Sequence, residues 1–223
     1  MVTYVLGVLV AVAAGIAAYR AVPWGAQVFA QRAQCRAGDL SAYGESDQYR
    51  FRAKARVRAI MRVLLVEGLL FIGWLRGGLP VELACAPWSL VAAALLEADL
   101  RSEYLPFELN ALLLGGSIVV QGSLDCGAAV YGLAIGTVLF VIAGTFWMVG
   151  QRKGRQLLGG GDVVSILGVC AGSGYGCLTG ALASCSFVVL VEGVRAAHAN
   201  ADGLRTFPLG PYLMIWLVVG FAC

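Results

Sequence analysis

Eight apolar runs, at 3–21, 57–76, 80–98, 105–124, 126–149, 162–173, 176–194 and 207–223, alternate with short polar breaks along the chain. Most approach the ~20 residues that a helix needs to cross the hydrocarbon layer. The run 162–173 is short, and the glycines of "AGSGYG" (171–176) mark a tight turn or helix break before the next run. The pattern predicts an all-α polytopic membrane protein of about eight transmembrane helices, one of them short, in a single domain over 1–223. Its one long polar segment is the loop at 23–55. Val5 to Ala18 has the length of a signal core but no basic stretch before it, so it reads as a retained span.

Charge orients these runs. All but one of the 16 Lys and Arg fall in or beside the loops after spans one, three, five and seven; Arg76 is the exception. By the positive-inside rule those loops are cytosolic and the N-terminus is outside, in a cytoplasmic or inner membrane. The parity supports eight crossings over seven, because losing one would export Arg195 and Arg205. Composition agrees: 60% of residues are hydrophobic and 13% charged, with a mean hydropathy of +0.81, against about a quarter charged in soluble domains. The net charge of +3 is explained by anionic lipid heads, without nucleic acid. Seven cysteines lie mostly inside apolar runs with no CxxC pair, and read as buried thiols. His198, the only histidine, has no Cys or acidic cluster beside it, so no zinc site and no cofactor are expected.

Chemistry must then come from carboxylates. Glu67, Glu82, Glu97, Glu108, Glu192 and Asp162 lie in or at the ends of spans, and Asp99 ends span three. An ionisable group within a membrane is costly enough to call for a functional explanation. Glu82 and Glu192 sit near span ends, where they reach the interface; Glu67 is deeper, in "RVLLVEGLLF". Asp99, in "LLEADLRSEYLP", emerges at the cytosolic face, and Asp162, in "LLGGGDVV", begins span six at that same face. The two are 63 residues apart yet predicted at one depth. Close carboxylates share a proton and titrate as a pair, the condition for an acid and a base acting on one water. The competing explanation is helix punctuation, with Asp162 as an N-cap and Asp99 as an interfacial charge. Gly159, Gly160 and Gly161 exceed what a cap requires and allow close backbone approach.

Three ordered motifs carry a resemblance. "GGGD" followed by "VVSILGVCAG" resembles the GxGD segment of the type IV prepilin peptidases, membrane aspartyl proteases that trim pilin and pseudopilin leaders. "ADLRSEYLP", with Asp99, Leu105 and Pro106, resembles that family's first aspartate segment. "TFPLGPYLMIWL", with Pro208, Gly210, Pro211 and Tyr212, is similar to its final span, and "AAYRAVP" (17–23) to its "YRLP". The first three cover residues about 90–223. Two positions depart from the family: Val164 stands where Lys is common, and Phe107 where Asp or Asn follows the proline. The loop 23–55 is short and has only Cys35, so it lacks the cysteine-rich methylation insertion of larger members.

The resemblance implies that Asp99 and Asp162 are a catalytic pair. It implies a metal-free aspartic endopeptidase acting on prepilin-like substrates at the cytosolic membrane face, without N-methyltransferase activity. Gly159 to Gly161 would grip the extended leader. Two rival readings are a small transporter or channel, which needs carboxylates along one path through the bilayer, and a non-catalytic membrane scaffold.

Overall fold

The computed structural model describes residues 2–28, 55–102, 105–152, 160–198 and 209–223, the side chains of 101, 102, 151 and 192–198 excepted. Most of the polar loop at 23–55, together with Glu103, Pro208 and the side chain of Glu192, lies outside this description. The described elements are helical: α1 (Val2–Arg20), α2 (described over residues 22–28), α3 (Ala55–Ser102), α4 (Phe107–Leu124), α5 (Cys126–Arg152), α6 (Gly160–Ser173), a 3-10 turn (Gly174–Gly176), α7 (Cys177–His198) and α8 (Gly210–Ala222). Among the described residues five stretches are long and apolar enough to cross a membrane: Val2–Arg20, Ala55–Leu100, Phe107–Leu124, Cys126–Gly150 and Gly160–Val191. Gly210–Ala222 is a shorter apolar helix. Among the described residues the fold is all-helical, with the apolar helix lengths of a membrane protein.

The 48 residues of α3 are a hairpin, with Gly78 at its bend (φ 68°, ψ −156°). That backbone conformation is open essentially to glycine alone. Pro80 follows, where a proline suits the first turn of the returning leg. Arg62 pairs with Glu97, 35 residues further on. A straight helix would separate them by about 50 Å, so the two legs of α3 run antiparallel.

Side-chain contacts give the direction of every other helix. On α1, Gly7 faces Trp74 and Glu82, Gly15 faces Glu67, and the Ala18 carbonyl accepts from Arg62, so α1 opposes the first leg of α3. On the second leg, Trp88 stacks edge-on against Phe221 of α8 at 5.1 Å, while Asp99 meets Gly210. Thus α8 opposes that leg. The Trp88 indole donates to Ser117 of α4 (3.0 Å), whose hydroxyl donates to the Gly168 carbonyl of α6 (2.8 Å). A second α4–α6 bond, from Asn110 to Gly161, shows that α4 and α6 run parallel. On α5, Gly132 packs on Cys170, and Trp147 lies over Gly160, so α5 opposes α6. The bundle is therefore up-and-down, with the second leg of α3 and α8 at its centre.

Three helices meet where the backbone comes closest. A Cβ at Gly176 would collide with the Gly220 carbonyl, and one at Gly180 with the Trp216 carbonyl. Ser184 donates to the Tyr212 carbonyl one turn further along (2.9 Å). Lipid supplies no hydrophobic drive between helices, so such small-residue contact is the main source of association. The short run 162–173 and its break occur as expected: α6 ends at Ser173, Gly174 takes φ 55°, and α7 returns against α8.

Gly176→Ala and Gly180→Ala are each expected to destabilise the bundle by about 1–3 kcal/mol, since backbone rather than a flexible side chain must move. Gly115 and Gly122 of α4 have open space around them, so Gly115→Ala and Gly122→Ala should leave it unchanged or slightly more stable. Thermal melting of the four purified variants in one detergent checks the contrast; similar melting of all four would remove the close-contact argument.

Candidate functional site

Seven helical ends gather at one end of the bundle. They are the C-terminal turns of α1, of α5 and of the second leg of α3, and the N-terminal turns of α3, α4, α6 and α8. Arg20, Arg56, Arg58, Arg62 and Arg152 also lie here, whereas Arg76 lies at the other end, bonded to the Phe221 carbonyl (2.8 Å) and over its ring.

Asp99 is buried at this end, 3% exposed, in the last turns of the second α3 leg. Its Oδ2 accepts the N–H of Gly210 at 2.8 Å. That N–H opens α8 and has no partner within its own helix, so a carboxylate from a neighbouring helix satisfies it. The site of contact requires glycine: a Cβ on residue 210 would stand 2.7 Å from Oδ2. Pro211 then begins the helix without a wasted donor.

Asp162 is half-buried in the first turn of α6. A negative charge there complements the helix dipole, so its position suits punctuation and chemistry alike. Gly161 presses on Leu105, where a Cβ would lie 2.7 Å from both the Leu105 carbonyl and its Cβ. Because Leu105 follows Asp99 by six residues, this contact brings the α6 N-terminus against the chain that leaves Asp99. The structure thus puts Asp99 and Asp162 at the same end of the bundle.

The glycines divide in their surroundings. Gly159 lies outside the described residues. Gly160 is exposed, with Trp147 no nearer than 3.6 Å to a Cβ there. The carbonyl of Gly161 is engaged within the protein, accepting from Asn110 Nδ2 at 3.3 Å. The Ser165 hydroxyl donates to Asn110 Oδ1 (2.6 Å), with the same Gly161 carbonyl as a second acceptor at 3.0 Å. Asn110 and Ser165 are each 1% exposed, and together they hold the α6 N-terminus to α4. Sequence reasoning that followed only acids passed over both. The signal was an amide and a hydroxyl, at 110 and 165, inside apolar runs.

Three other acids have defined surroundings, and one of them departs from the expectation. Glu82 does not reach the interface: it is 4% exposed and faces Gly7 of α1, with Oε2 buried and unbonded. Glu67 is half-buried against Gly15 on the same helix. Glu97, two residues before Asp99, is 1% exposed and ion-paired with Arg58 (3.3 Å) and Arg62. Of the two departing positions, Phe107 projects outward at the start of α4 and Val164 is half-buried on α6.

No family model matches this chain, and comparison with curated proteins and with solved structures likewise finds no match.

Gly161→Ala and Gly210→Ala are expected to lower the melting temperature, by displacing Leu105 and Asp99 respectively, while Gly160→Ala should melt with the parent protein. A Gly160→Ala defect equal to the other two would mean that the packing on Leu105 and Asp99 does not distinguish these sites.

Proposed function

We propose that this protein is a membrane aspartic endopeptidase that removes the leader peptides of prepilin-like proteins at the cytosolic membrane face. The observation that carries the reading is the meeting of its three motif regions. Asp99 is bonded to Gly210 of "LGPYL", and Gly161 of "GGGD" rests on Leu105 of "ADLRSEYLP". The Asp99–Gly210 contact caps α8, but capping gives the GGGD segment no reason to join it; a shared site gives all three a reason to converge. The clustering of Arg20, Arg56, Arg58, Arg62 and Arg152 at that end supports a cytosolic orientation for it.

In this mechanism one of Asp99 and Asp162 is ionised and takes a proton from water, whose oxygen attacks the scissile carbonyl carbon. The other, protonated, donates a hydrogen bond to the carbonyl oxygen. Collapse of the tetrahedral intermediate breaks the C–N bond, and a carboxyl proton passes to the leaving amine. The substrate's apolar helix stays among the spans while its leader lies in the cytosol. Peptide cleavage then occurs where water meets the paired acids.

Asp99→Asn and Asp162→Asn should each reduce leader cleavage by orders of magnitude, with insertion and melting retained for Asp162→Asn. The double variant should be little worse than either single one, because members of one catalytic unit are not additive. Asn caps a helix about as well as Asp, so substantial cleavage by Asp162→Asn would return that residue to helix punctuation. Asp125→Asn is the control at the opposite end, where Asp125 accepts the Gly127 N–H. Chelator should leave cleavage intact, and the mature substrate should carry a free, unmethylated amine by mass spectrometry.

One observation favours a second reading. Glu67 and Glu82 both face α1, at Gly15 and Gly7, and acids in file along one helix seam suit a proton or cation path. The two readings separate on Glu67→Gln and Glu82→Gln. A peptidase keeps most of its cleavage in both variants; a transporter loses its flux in liposomes and shows no cleavage to begin with.

A further inference from the structure

A cleft of about 800 Å3 opens between the C-terminal turn of α1 and the first turns of α3, and its rim includes Arg20, Arg56, Arg58 and Arg62. One acid, Glu97, faces these four cations across the cleft, and it is engaged by Arg58 and Arg62. Arg62 is further committed to the Ala18 and Tyr19 carbonyls. Arg20 and Arg56 are exposed and form no ion pair among the described residues. The mouth is therefore a positive site, with two guanidinium groups available to an outside anion.

The cleft does not end at the charged rim. A second hollow, of about 550 Å3, shares Tyr19, Arg20 and Val63 with it and continues past Ile16, Gly15 and Val12. Seven residues of helix separate Tyr19 from Val12, a descent of about 10 Å. That descent lies within Val2–Arg20, one of the stretches apolar and long enough to span a membrane. Beyond Tyr19 and Arg20 the lining is aliphatic, with Ile16 and Val12 both more than half exposed. A soluble anion has use for the rim but none for the furrow.

We propose that this continuous surface is a binding site for one anionic glycerophospholipid, its phosphate between Arg20 and Arg56 and an acyl chain along the furrow beside Ile16 and Val63. Guanidinium groups suit phosphate because their planar fork donates two parallel hydrogen bonds. Neither Asp99 nor Asp162 lines the cleft, and the assignment does not depend on the peptidase reading. It gives α1, which packs mainly on the α3 hairpin, a further surface to adhere to.

Native mass spectrometry of the full-length protein, offered equimolar phosphatidylglycerol and phosphatidylcholine of identical chains, tests the assignment. The parent protein should retain phosphatidylglycerol preferentially. Arg20→Ala with Arg56→Ala should reduce that preference by about thirtyfold, at roughly one cation's attraction per arginine, and Arg20→Lys with Arg56→Lys should keep most of it. Ile16→Trp, an exposed position outside the core, should displace the lipid by filling the furrow even if the arginine variants fold poorly. Equal retention of the two lipids by the parent protein would overturn the proposal, as would unchanged retention in Ile16→Trp. Displacement of phosphatidylglycerol by millimolar inorganic phosphate would also overturn it, by showing that a soluble anion suffices.

Discussion

The Arg62 guanidinium is the tie on which the aspartate end depends. It is 4% exposed, pairs with Glu97 and donates to the Ala18 carbonyl at 3.0 Å. One side chain thereby joins α1 to both legs of the α3 hairpin. A charge buried at the edge of the hydrocarbon must find its opposite, because leaving either member alone costs about 3–5 kcal/mol. The register between the legs is consequently set within a turn, and Asp99 follows Glu97 by two residues. An error in that register would move Asp99 away from Gly210. The same guanidinium also reaches the Tyr19 carbonyl at 3.5 Å, whose helical partner four residues on would be Pro23, which has no N–H.

Above this tie the bundle is held by shape. Large aliphatic groups cannot draw helices together in lipid, since the tails they would leave are equally apolar. The α6–α7–α8 corner instead brings backbone to backbone, at Gly176 with Gly220 and at Gly180 with Trp216. Polar contacts between helices are few but run in chains: Trp88 to Ser117 to Gly168 in the middle, Asn110 with Ser165 and Gly161 below. Each such chain satisfies its own donors and acceptors, which a low-dielectric interior rewards. Together they attach α6 to α4 along most of its length. The rigid placement of Asp162 follows from that attachment more than from its own capping position.

The asymmetry between the two ends matters for any chemistry. Among the described residues the far end has the tight turns, Gly78 and Gly174, and one arginine, Arg76, tucked against α8. The aspartate end has the other described arginines and the acids Glu97, Asp99 and Asp162. Helix N-termini of α6 and α8 both open there, so exposed N–H groups and negative side chains occur together. The peptidase proposed above would draw on this asymmetry, since Asp99 and Asp162 lie at that end together.

Much of the architecture was legible in the run lengths alone. Helix is the only open structure that satisfies its backbone without water, so an apolar run of about 20 residues determines its own conformation. The breaks at 76–80 and 171–176 were equally plain, because glycine and proline act locally. Which end carried the charge followed from arginine positions, and which end carried Asp99 and Asp162 followed from counting runs. Side-chain partners were beyond that reasoning. Nothing local marks Gly210 as the donor to Asp99, Glu97 as the mate of Arg62, or Glu82 as buried against Gly7 instead of lying at the interface. These depend on the rotation of each helix about its axis, and in a run apolar on every face the sequence contains no stripe to specify that angle. Glycine contacts and a few buried polar atoms specify it instead, and they do so only once the helices are packed.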